Sequence, residues 1–176
     1  MLYRTRTYIA ADWDHDHDVV NKILEWNNAP ECRLNFTYAH DLMQARDSSL
    51  NCSIKHSLHE RMNGSDTFVL IASQETLKMT KGGCQFCGSY NSYTSSCARG
   101  YVIDYRSYIK YECELAARSH ENDDIRIIIV YKDTSSHWDW IPHDLWGTGV
   151  EVTAYYRNSY GNLCWNKQMI INALMQ

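Results

Sequence analysis

Proline and glycine are scarce, at 2 and 8 of 176 residues. So little of either excludes a linker-rich or disordered chain. Long hydrophobic runs are lacking too: the most apolar stretch, 125–131, is short and interrupted by Arg126, which disfavours a membrane span. A signal peptide is not expected, because Asp12, Asp14, Asp16 and Asp18 fall where its apolar core would lie. Nor is there an excess of positive charge. Lys and Arg number 17 against 21 Asp and Glu, a net charge of −4 that disfavours nucleic-acid binding through bulk charge. The expected location is therefore a reducing cytoplasm, with neither membrane nor nucleic acid as partner. The 7 cysteines, an odd count, then read as thiols or metal ligands rather than a disulfide framework. What remains, 44% hydrophobic and 22% charged, fits one globular domain over 1–176.

Strand-like and helix-like segments alternate along the chain. Residues 7–11, 33–37, 67–72, 125–131 and 150–155 read as strands, the third the clearest early one and the fourth a nearly continuous apolar run of the kind buried on both faces. Between and after them come helical patterns: Val19, Val20, Ile23, Leu24 and Trp26 after Asp16 and Asp18; Ile54, Leu58 and Met62, with Ser53 as cap and Gly64 as stop; 105–119; and 163–175. Five alternations predict an α/β, flavodoxin-like three-layer fold. Its five-stranded parallel sheet has order 2-1-3-4-5, with helices on both faces. In that order ligands bind at the switch point between strands 1 and 3, outside the strands' carboxyl ends. Residues 11–16 and the long 73–104 connection should line the site.

On the 105–119 helix, steps of ~100° put Tyr105, Tyr108, Ile109, Cys113 and Ala116 on one stripe, with Glu112 inside it. Glu114 points the other way and reads as solvated. A carboxylate in an apolar stripe is paired or functional; the bland alternative for Glu112 is an ion pair with Arg46 or Arg106.

Tyr108-Ile109-Lys110-Tyr111-Glu112-Cys113 resembles the Trp-x-x-x-Glu-Ile/Leu element of Toll/interleukin-1 receptor (TIR) domains, with Tyr108 standing for the Trp. Thr7-Tyr8-Ile9-Ala10-Ala11-Asp12-Trp13-Asp14 occupies the place of their first-strand motif. The segment Ala39-His40-Asp41-Leu42, continuing through Ala45-Arg46-Asp47-Ser48-Ser49, resembles the stretch after strand 2 in the TIR sensor proteins of Thoeris antiphage systems. The resemblance runs over essentially the whole chain as an order of segments. It implies cleavage of the nicotinamide N-glycosidic bond of NAD, often with cyclisation of the ADP-ribose product and with simple hydrolysis as the other outcome, and it puts the catalytic carboxylate at Glu112. It also implies a diffusible product read by a separate effector protein, for which this chain has no room, a phage protein as trigger, and a homo-oligomer. Chemically, nicotinamide leaves as a neutral base, so the need is for one carboxylate facing an oxocarbenium-like ribose. Glu112 is then expected to face residues 11–14 across the cleft.

For binding NAD the candidates are Ala11, Asp12 and Trp13 at the switch point, Arg46 and Asp47 after strand 2, and Tyr108. Arg46, Arg99 and Arg106 are the cations available to its phosphates, and Trp13 offers a ring to a base. The Asp/His run 12–18 admits a metal reading, but Asp before a helix is favoured as a cap. Cys84-x-x-Cys87 followed by Cys97 is a stronger hint of structural zinc, with Cys52, Cys113 or a His as fourth ligand; free thiols are the alternative. Two other classes fit the same chain. One is a non-enzymatic TIR adaptor that works by assembly. The other is a nucleoside deoxyribosyltransferase-like enzyme, which also sets a carboxylate against a sugar carbon.

Overall fold

The computed structural model describes residues 5–32, 34, 36–38 and 50–176. Among them the chain runs β1 (Thr5–Ala10), α1 (Trp13–Asn28), β2 (Phe36–Tyr38), α2 (Asn51–Asn63), β3 (Thr67–Ala72), β4 (Tyr90–Asn91), β5 (Ser96–Cys97), α3 (Tyr108–Glu121), β6 (Arg126–Tyr131), β7 (Val150–Thr153), β8 (Tyr155–Arg157), β9 (Leu163–Trp165) and α4 (Lys167–Met175). Five strands make one all-parallel sheet in the order β2-β1-β3-β6-β7. Counting only the strands of that sheet, this is the expected 2-1-3-4-5; β4 and β5 form a separate hairpin in the connection to α3.

Period-2 alternation sends the two sides of each strand to different cores. Tyr8, Ala10, Phe68, Leu70, Ile127 and Ile129 pack beneath α2 and α3, with Leu58, Met62, Ile109 and Cys113. Ile9, Val69, Ile71, Ile128 and Val130 pack beneath α1 and α4, with Val19, Ile23 and Ile170. Every residue of β3 is buried, as a central strand covered on both faces must be.

Several boundaries differ from expectation. Helix α1 starts at Trp13, with Asp12 as its cap, so the Asp/His run is helix rather than its prelude. Its early turns are polar because they face outward, except for buried Asp16. Ser53 does not cap α2; it lies inside the helix, whose N-cap is Leu50, while Gly64 ends it as expected. Helix α3 begins at Tyr108 behind the Ser107 cap, which leaves Tyr105 outside the helix and exposed. The closing helix begins at Lys167. Leu163–Trp165 instead pairs antiparallel with β8, because Gly161 at φ +78° closes a turn that returns the chain alongside it. No helix among the described residues is long and apolar enough to cross a membrane.

Candidate active site

Helix α3 descends from the carboxyl edge of the sheet, its first turn fixed by the Ser107 side chain accepting from the Lys110 amide at 3.3 Å. Glu112 is five residues past that cap, roughly 7 Å down the helix at 1.5 Å per residue. It is buried at 6% exposure. Its neighbour is not the 11–14 segment but the middle of β1, where the Tyr8 hydroxyl donates to Glu112 Oε1. The expectation that Glu112 faces 11–14 is therefore corrected: α3 covers the sheet face that carries Tyr8 and Ala10, whereas α1 leaves from Trp13 to cover the other.

Burial pushes the Glu112 carboxyl from the usual 4.5 up to about 7, against the opposing pull of the Tyr8 hydroxyl and the Arg61 charge. Tyr8, fully buried, is itself pushed upward by burial and by the neighbouring carboxylate. Sequence reasoning passed over both Tyr8 and Arg61. Tyr8 was findable, since strand parity puts it on the face that α3 covers.

Arg106 does not serve Glu112. It binds Asp104 through two bonds, at 2.9 and 2.8 Å, and it also donates to Glu114, which Arg118 approaches at 3.5 Å. Glu114, expected to be solvated, is thus an ion-pair member with a side chain only 20% exposed. Lys55 Nζ completes the cluster, donating to the Arg106 carbonyl at 2.7 Å and pairing with Asp104 at 3.1 Å. Lys55, Asp104 and Arg106 line a cavity of about 700 Å³ between α2, α3 and residues 102–106, where His56 and His59 also face. That volume suits a ligand, but both of its main cations already hold carboxylates, and Glu112 is not among its lining residues.

The switch-point residues form a second polar group. Asp12, 2% exposed, accepts from the Asp14 amide at 3.2 Å and meets His15 Nδ1 at 2.6 Å, so it acts as a cap. Trp13 is 56% exposed, its ring free of the core and 6.0 Å from that of His17. Asp16 is fully buried and accepts from Ser73 Oγ at 3.1 Å, which ties α1 to the end of β3. Burial pushes its carboxyl up to about 6, with Lys132 no nearer than 3.9 Å. Asp18 behaves oppositely: burial works against its charge, but the Lys132 ammonium at 2.7 Å outweighs it and holds the carboxyl below its usual value. Carbon-detected NMR titration is expected to show Asp16 changing protonation near 6 and Asp18 well below it. A shared midpoint would refute this account of the two environments.

Tyr108 opens α3, and its hydroxyl donates to Asn51 Oδ1 at 2.9 Å, joining the starts of α3 and α2. Its ring lies against Gly82, where φ is +108° and a Cβ would come within 2.6 Å of the ring. Arg99 is exposed on the connection. Arg46 and Asp47, with all of 39–49, lie outside the described residues. The structure thus brings Glu112 to Tyr8 and Tyr108 to Asn51, but sets Ala11, Asp12 and Trp13 apart from Glu112. Compared with protein-family models and with curated proteins, the chain matches none.

Proposed function

We propose that this chain is a TIR-type enzyme that cleaves the nicotinamide N-glycosidic bond of NAD. The observation that carries the reading is Glu112, a carboxylate withdrawn into the α3–β1 interface, at the position where the resemblance puts the catalytic acid. Desolvation makes its charge effective: in a water-poor setting a fixed carboxylate stabilises a developing oxocarbenium far better than in water. The Tyr8 hydroxyl holds the carboxylate in one orientation. Arg46 offers a cation to the phosphates, and Asp47 is the second candidate contact from the segment after strand 2. Trp13, exposed just past the carboxyl end of β1, offers its ring to a base at the far end of the dinucleotide. Nicotinamide leaves, and a hydroxyl or ring nitrogen of the same substrate captures the ribose, giving a cyclic ADP-ribose-type product. That product acts in the cytoplasm on a separate effector protein, with a phage protein as trigger and self-association as the means of response.

The test is mass spectrometry of small molecules formed from NAD, by the purified protein and in cells making it during phage infection. Nicotinamide and an ADP-ribose-derived product are expected in at least the infected cells. Because Glu112 must be ionised to act, kcat/KM for NAD, measured well below saturation, is expected to rise with pH through about 7 and then level off. NAD left intact in both settings would overturn the reading. A second reading, an assembly domain without catalysis, has an observation of its own: Glu112 lines neither of the cavities described and is bonded within the fold. It would show as protein self-association with NAD untouched.

A further inference from the structure

Cys84 and Cys87 flank a single 3-10 turn, closed by the Cys87 amide donating to the Cys84 carbonyl at 2.9 Å. The chain then makes the β4–β5 hairpin, in which Tyr90 pairs with Cys97 and the Ala98 amide donates to the Ser89 carbonyl at 2.8 Å. The hairpin returns Cys97 to the Cys84–Cys87 turn. Cys52, some thirty residues earlier in sequence, sits in the first turn of α2. All four cysteines line one small enclosed cavity, whose other walls include Leu50, Tyr101, Val102 and Ile103. The space at its centre is about 10 Å³, room for one particle the size of a water molecule. Four of the seven cysteines thus meet around one apolar hollow from three separate chain segments, and none of the seven is in a disulfide.

We propose that Cys52, Cys84, Cys87 and Cys97 bind a single zinc ion that pins the connection between β3 and α3 onto the start of α2. A turn bearing Cys-x-x-Cys, a short hairpin and a returning cysteine make a compact thiolate chelate. Zinc accepts four such sulfurs in a tetrahedron at about 2.3 Å. Among the described residues no three or more His, Cys, Asp or Glu side chains are so placed that they hold a metal as they stand. Closing the site therefore requires the four thiols to draw together as the metal binds.

A donor stands behind the ligands already: the Asp104 amide points to Cys84 Sγ at 3.3 Å, the place of an outer-shell partner that orients a ligand sulfur. Binding releases the thiol protons to solvent, so uptake is pH-dependent. Cys52 and Cys84 also line the 700 Å³ cavity, so the metal would fix the wall that carries Asp104 and Arg106. This inference stands whether or not the protein cleaves NAD.

The test begins with unaltered protein purified without chelator. Elemental analysis is expected to find about one zinc per chain, and replacement by cobalt(II) is expected to give the thiolate-to-metal charge-transfer band and d–d bands of a tetrahedral sulfur site. Cys52→Ser and Cys97→Ser are expected to lose zinc to a competing chelator, with a loss of affinity beyond the ~10- to 100-fold that removing a residue behind a ligand costs. Cys164→Ser, on β9, is the control and should keep the metal. Protein without zinc that also shows no thiolate band on adding cobalt would overturn the proposal, and this measurement does not depend on any variant folding. Undiminished affinity in Cys52→Ser would overturn the four-thiolate assignment.

Discussion

Replacing Glu112 by Gln is expected to lower nicotinamide release from NAD by ~100- to 1,000-fold, the usual cost of losing one well-placed electrostatic group, and to stabilise the fold at the same time. The second effect follows from the burial of the carboxyl. Folding raises its pKa from 4.5 to about 7. Between those values the folded protein holds a proton that the unfolded chain has released, so this group makes stability fall as pH rises through that window. Above about 7 the penalty is complete, of the order of 3 kcal/mol at 1.36 kcal/mol per pH unit. Gln keeps the volume and an oxygen that accepts from Tyr8 but carries no charge. Its extra amide hydrogens offset part of the gain, leaving about 2 kcal/mol above neutral pH and little at about pH 4. Denaturant unfolding at the two pH values, beside the nicotinamide assay, measures both. A variant that is both less active and more stable is what a strained functional carboxylate predicts. Unchanged activity would remove the catalytic role, and a large loss of stability at every pH would mark Glu112 as a structural ion-pair member.

Glu114 cannot serve as an inert comparison, because Arg106 and Arg118 both reach it. Glu121, on the last turn of the same helix and exposed, is the better control.

Which segments were legible in the sequence follows from how each meets its surroundings. Residues 67–72 and 126–131 are covered on both faces, so their sequences are nearly unbroken apolar runs and their bounds could be read directly. The stripe on α3 was also legible at Ile109, Glu112, Cys113 and Ala116, since all four are buried. Periodicity gives the buried face of a helix but not the sheet residues it meets, and it is the side of β1 that α3 covers which sets Glu112 beside Tyr8 rather than residues 11–14. Leu163–Trp165 reads as helix in the sequence because three residues carry too little pattern to separate a hairpin strand from a first helical turn. The partners of Arg106 were hidden for another reason. Asp104 lies two residues away in an irregular segment, where sequence spacing says nothing about direction.

That same irregular segment should give the largest stability effect outside position 112. Lys55 is a buried cation, its side chain 5% exposed, held by Asp104 and by two carbonyl groups. Burial alone would raise the Asp104 carboxyl, but hydrogen bonds from Arg106 and Lys55 hold it well below the usual carboxylate range. Asp104→Ala strips the anion and leaves Lys55 charged inside the α2–α3 interface, with Arg106 left to Glu114. Removing one member of such a buried pair typically costs about 3–5 kcal/mol. Asp104 is partly open to water, at 23% exposure, so about 3 kcal/mol is expected. Lys55→Met is expected to cost less, because Asp104 keeps its two-bonded Arg106 partner and the Met side chain fills the hollow beside Tyr111. The pH dependence has a definite sign. Because the folded pKa of Asp104 lies below its unfolded value of about 3.8, its contribution is complete above that value and is lost as pH falls toward the folded pKa. Unfolding midpoints measured from neutral pH down to about pH 2 should therefore converge for the unaltered protein and Asp104→Ala in acid and separate above about pH 4. A constant gap across the whole range would mean that Asp104 acts through packing rather than charge.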